Sequence, residues 1–168
     1  MLKKLGMFFT FAFIVALGFA FNGGQASAAT EHTVTANLYV NGDDNEILHK
    51  KAYLTNSFVM PLAAVSDNAK ITTNDDGTYT LSVPVVNDTF ALISIDSPNA
   101  GVSNIVPTRN TGTYGSNTNG RITNLTMTIE KGTTSVYFTN CHEYSGYFVS
   151  KGDKYFNLTL DVDWTNVK

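Results

Sequence analysis

Between Tyr155 and Trp164 apolar and polar side chains alternate without a break. Phe156, Leu158, Leu160, Val162 and Trp164 fall on one side, and Tyr155, Asn157, Thr159, Asp161 and Asp163 on the other. A period of two turns one set toward a core and the other toward water, which is the signature of a half-buried β-strand. The pattern recurs at Val34, Ala36, Leu38 and Val40, and again at Tyr79, Leu81, Val83 and Val85. Further extended runs are expected at Ala69 to Thr73, Thr89 to Ile95, Ile122 to Ile129, Val136 to Cys141 and Tyr147 to Val149, with a weaker one from Glu46 to Leu54.

Turn signals separate these runs: Asn41-Gly42-Asp43-Asp44-Asn45, Asn74-Asp75-Asp76-Gly77, Lys131-Gly132 and Lys151-Gly152-Asp153. In the second, Gly77 supplies a residue able to take positive φ, as a hairpin turn requires. Short strands spaced in this way predict an all-β fold, an immunoglobulin-like antiparallel β-sandwich of seven to eight strands. A short helix is expected only near Asn56 to Val65, with Pro61 in its first turn. Pro84 has no N–H to give to a ladder, so its strand is expected at a sheet edge or with a bulge. From Ser97 to Gly120 two prolines and four glycines interrupt any periodicity, and this stretch reads as the longest irregular connection, a loop that is either functional or mobile.

The first residues carry a different signal. Lys3 and Lys4 precede an apolar run from Leu5 to Phe21, Asn22-Gly23-Gly24 breaks it, and Ala26-Ser27-Ala28 offers the small-x-small site of a signal peptidase. The expectation is a signal peptide over residues 1–28, followed by one β-sandwich domain over 29–168, secreted to the extracellular space without a stable membrane anchor. The chain holds 11 basic and 14 acidic residues; with Lys3 and Lys4 in the leader, nine face 14 and the mature net charge is −5. No Lys/Arg cluster accompanies it, so nucleic acid is not the expected partner. Cys141 is the sole cysteine, so no internal disulfide can form and packing must hold the fold, expected to be monomeric.

The chemistry of catalysis is thin. His32, His49 and His142 stand in unrelated settings, and no nucleophile motif accompanies them. Cys141 and His142 are neighbours on a strand, where adjacent side chains point to opposite faces, so they do not share a metal. Cys141 is expected as a buried core thiol. The acidic groups Asp43-Asp44, Asp75-Asp76 and Asp161 with Asp163 match no calcium-loop spacing and suit turns and a solvated strand face. Asn87, Asn124 and Asn157 each open an Asn-x-Thr sequon of the kind that Asn- and Thr-rich strands produce by chance. The chain reads as a binding protein and not an enzyme. Its informative residues are aromatic: Tyr137, Tyr144, Tyr147 and Tyr155 crowd into the last third beside Phe148 and Phe156. Such rings can stack on a flat apolar ligand, although tyrosine also fills strands through its β-propensity.

From about Thr33 to Asp163 the order of features resembles a NEAT (near iron transporter) domain, the haem-handling β-sandwich of Gram-positive bacteria. The likeness rests on the opening strand, the Ser57-Phe58-Val59-Met60 segment, the strand Asp76-Gly77-Thr78-Tyr79-Thr80-Leu81, the strand from Arg121 to Ile129, and the hairpin that ends Leu160-Asp161-Val162-Asp163. That family carries Tyr-x-x-x-Tyr on its final hairpin; its first tyrosine binds haem iron and its second supports it. Here Tyr155 fills the second position and Lys151 the first. The resemblance implies iron acquisition, with haem or a haem protein as ligand. It places Tyr155, Tyr147, Tyr144 and His142 on one wall of a site and Phe58 and Met60 on the other. The alternative is a structural or adhesive sandwich that recognises a protein or glycan through its loops, above all Ser97 to Gly120.

Overall fold

The computed structural model describes residues 29–41, 54–55, 69–98, 101–146 and 151–168. The expected leader, the short helix near Pro61, most of the run from Glu46 to Leu54 and the strand at Tyr147 to Val149 lie outside the described residues. Within them the chain is all β: β1 (Glu31–Val34), β2 (Ala36–Asn41), β3 (Ala69–Thr73), β4 (Tyr79–Pro84), β5 (Phe90–Pro98), β6 (Val102–Arg109), β7 (Ile122–Ile129), β8 (Ser135–Ser145) and β9 (Gly152–Val162). These nine strands exceed the seven to eight expected. They form two antiparallel sheets, one in the order β1-β3-β4-β7-β6 and the other β2-β9-β8-β5.

The two sheets share one apolar core, which gives the molecule its sandwich-like build. Ile71, Leu81, Leu125, Met127 and Ile129 come from the first sheet, and Leu38, Leu92, Phe138, Leu158 and Leu160 from the second. All ten are at most 1 % exposed. Burying a large apolar side chain contributes about 1.5–3 kcal/mol, so a core of this size can carry the fold without a cross-link. After β9, Trp164 closes one end: its ring meets Tyr79 edge-on at 5.2 Å and its Nε1–H donates to Thr133 O at 2.7 Å.

The opening alternation is one pattern but two strands. β1 pairs with β3 in the first sheet and β2 with β9 in the second, so the chain changes sheet at Thr35. Val34, Ala36 and Leu38 all remain buried, because a segment that passes between two facing sheets can keep the same side toward the shared core. The Asn74–Gly77 turn forms as its residues predict: Gly77 N–H donates to Asn74 O at 3.0 Å, and φ of Gly77 is +82°. Asp76 Oδ1 tightens it by accepting from Thr78 N–H at 2.9 Å and Thr78 Oγ1–H at 2.6 Å.

Two expectations are corrected. β4 is the middle strand of five and not an edge; Pro84 is tolerated there as its final residue, beyond the last β3 rung at Lys70 and Ser82. The stretch from Ser97 to Gly120 is also no single loop, because β6 occupies Val102–Arg109 along the edge of the first sheet. Its alternation is hidden by a bulge. Ser103 faces Thr128 while Val106 faces Thr126, so β6 spends three residues where β7 spends two, with Asn104 at φ +50°. The half-buried residues Val102 and Ile105 therefore stand three apart instead of two.

What remains of the connection is the ordered turn from 110 to 121. Asn110 clasps its ends: its N–H donates to Arg121 O at 3.1 Å and its Oδ1 accepts from Arg121 N–H at 2.9 Å. Arg121 in turn ties β7 to the end of β4, with Nη1 donating to Val85 O at 2.7 Å.

Candidate functional site

The β8–β9 hairpin carries the expected site. A second bulge sets its phase: Phe138 pairs with Leu158 and Cys141 with Phe156, and Asn140 between them adopts φ +49°. Before the bulge Val136 and Phe138 face the core; after it Cys141, Glu143 and Ser145 do. His142 and Tyr144 are thereby turned to the outer face. Without the extra residue those two would point inward, and a histidine beside a polar partner would have to be buried.

Across the hairpin His142 pairs with Tyr155, and Tyr144 with Asp153. The His142 and Tyr155 rings lie nearly parallel, 9° apart in plane with centroids at 4.6 Å. His142 Nε2 stands 2.7 Å from Asp153 Oδ1. The imidazole is thus held by a ring on one side and a carboxylate at its edge, and its side chain is only 16 % exposed. Tyr155 is 66 % exposed, so the ring face away from His142 is open to a ligand. Tyr137 lies farther along the same hairpin, opposite Thr159 and 41 % exposed.

Tyr144 is half covered. The turn between β6 and β7 reaches over it, and a Cβ at Gly115 would stand 2.8 Å from Tyr144 Cε2, so the close approach depends on glycine. Cys141 takes the opposite direction from His142, as alternation predicts, and is fully buried. Burial pushes its thiol up to about 11, which leaves it a poor nucleophile.

Of the residues expected at the site, Tyr155, His142 and Tyr144 meet on one surface, while Tyr147, Phe58 and Met60 lie outside the described residues. Asp153 is the residue that sequence reasoning missed. It reads as part of the Lys151-Gly152-Asp153 turn, and only the hairpin register shows that it reaches His142. Lys151 is exposed immediately before β9, at the position where a first tyrosine would stand.

The outer face of the first sheet offers a contrast. Its polar side chains satisfy one another: Ser82 Oγ–H donates to Asn124 Oδ1 at 3.2 Å, Asn124 Nδ2–H to Thr126 Oγ1 at 3.1 Å, and Asn104 Nδ2–H to Thr128 Oγ1 at 3.3 Å. The two sequon asparagines outside that network have structural work as well. Asn87 is buried with Oδ1 accepting from Thr89 and Phe90 N–H, and Asn157 Oδ1 accepts from Asn140 N–H. Comparison with protein-family models, with curated proteins and with solved structures finds no match to this chain.

Proposed function

We propose that this chain is a secreted, non-catalytic binding domain with an immunoglobulin-like sandwich fold, and that the outer face of its β8–β9 hairpin receives haem or the haem-bearing surface of another protein. One observation carries the reading: Tyr155 is largely exposed, yet its ring is held by the stack on His142, which Asp153 fixes in turn. An aromatic ring that is both open and pre-positioned loses little freedom when a flat ligand covers it. The donors also suit ferric haem, since a phenol oxygen and an imidazole nitrogen are both ligands for iron. With Lys151 in place of the family's first tyrosine, Tyr155 is the residue left to meet the iron or to stack on the porphyrin.

Haemin titration of the purified protein tests this. A saturable change in the Soret band at one equivalent is expected, with Tyr155→Ala weakening the affinity about two- to tenfold, the order of a lost stacking contact. Tyr155→Phe separates the roles: it alters the spectrum if the phenol oxygen meets iron and leaves it unchanged if the ring only stacks. A titration without saturation excludes haem itself, and capture of haemoglobin, with Tyr155→Ala as control, then decides for or against the haem-protein form of the proposal.

A further inference from the structure

Beside the hairpin, β5 and β6 are the edge strands of facing sheets among the described residues. A cleft of about 240 Å³ opens between them. β6 explains why it exists. Past the Asn104 bulge, Ile105, Pro107 and Arg109 all turn toward the cleft, but only Ile105 is half-buried; the next two inward positions are exposed. Among the described residues the second sheet ends at β5 and does not extend beneath them. Ile95 supplies the other apolar wall, packed against the core that holds Phe138.

Pairing of another strand along this margin is discouraged by its own irregularity. β6 carries Pro107 and a bulge, and β5 shifts register three times and ends at Pro98, which are devices that blunt sheet edges. The cleft therefore suits a compact ligand. Two charged side chains line it, Arg109 and Asp96; the one hydrogen bond of Arg109 among the described residues runs from Nη1 to Gly120 O at 3.3 Å, with no carboxylate paired to it there. Asp96, on the β5 rim, has an interaction of its own.

We infer that the cleft between β5 and β6 is a second binding site, for a small amphipathic monocarboxylate whose apolar body lies against Ile95 and Ile105 and whose carboxylate meets Arg109. A cavity just below the roughly 300–1,000 Å³ of drug-sized sites matches an acyl chain of moderate length and not a porphyrin. Guanidinium presents paired donors that fit a carboxylate, and such charge-assisted bonds are about twice as strong as neutral ones.

The test is a chemical-shift titration of the purified protein with sodium octanoate, 1-octanol and octylammonium chloride, following the amides of Ile95 and Ile105. Octanoate is expected to bind about tenfold more tightly than octanol, the order of one charge-assisted hydrogen bond. Arg109→Gln should abolish that preference while octanol still binds, which shows the cleft intact. Ile105→Trp, which fills the cleft, should remove both, and Tyr155→Ala should change neither. The inference is overturned if octylammonium binds best, if the preference for octanoate survives Arg109→Gln, or if octanoate gives no saturable shift at these amides.

Discussion

Asn140 donates its backbone N–H to Asn157 Oδ1 at 3.2 Å while its own φ stands at +49°, and this pair decides which side chains of the closing hairpin meet solvent. The left-handed conformation costs an ordinary L-residue about 1–2 kcal/mol, and asparagine and glycine pay least for it. Asn140→Gly should therefore change stability little, whereas Asn140→Val should lower it by about 1–2 kcal/mol in chemical denaturation. An equally stable valine variant would show that residue 140 does not hold the bulge.

Cys141 gives an alkaline signature. Its thiol is pushed from 9.0 up to about 11 in the folded protein, chiefly by burial. A raised folded value stabilises below the unfolded value, and that contribution is lost as the unfolded thiol ionises and pH climbs from 9 to about 11. The stability of wild type should consequently fall more steeply across that window than that of Cys141→Ala. At pH 8 the native thiol should also resist alkylation until denaturant is added.

Gly120 is the fixed point of the turn from 110 to 121. It has φ +72°, and an added Cβ would fall 1.9 Å from Asn110 O. Neither group can give way without opening the Asn110–Arg121 clasp. Gly120→Ala should cost on the order of 2 kcal/mol or more in thermal or chemical unfolding. Gly77→Ala, at a similar φ but with nothing within 4 Å of the added carbon, should cost less.

Two exposed turns share one acid-sensitive device. Asp76 accepts from Thr78, and Asp163 from Thr165, in each case from both the backbone N–H and the hydroxyl. These bonds favour the ionised form and hold both carboxyls below the usual 3.8. Their contribution is present above the unfolded value and is lost as pH falls through the folded one. Replacing both with asparagine should flatten the acid limb of the stability curve between about pH 5 and pH 2, and an unchanged slope would mean that other carboxylates set it.

How far the sequence revealed the fold depends on local phase. Where alternation runs unbroken, as in β4 and from Phe156 to Val162 in β9, the strands fall where the pattern places them, and Tyr155 is outward as expected. Where a bulge adds a residue, the period is lost to the eye. β6 reads as a loop because Val102 and Ile105 are three apart, and only its pairing with β7 shows it to be a strand. The change of sheet at Thr35 leaves no mark, since buried positions on both sides keep a period of two. At the candidate site, the aromatic cluster was legible from composition alone. The contact between Asp153 and His142 was not, because it depends on hairpin register.

The partnership of β2 with β9 has a kinetic consequence. Ala36 pairs with Val162, so the second sheet closes only when residues from near opposite ends of the chain meet. Such distant pairings are slow, because most of the ordering entropy is lost before they reward it. Among the described residues β2 pairs with β9 alone, so during synthesis that pairing edge stays open until residues 157–162 emerge. A late-arriving β9 thus acts as a latch on assembly: a chain shortened by its last dozen residues should accumulate as an aggregation-prone species instead of a slightly weakened fold.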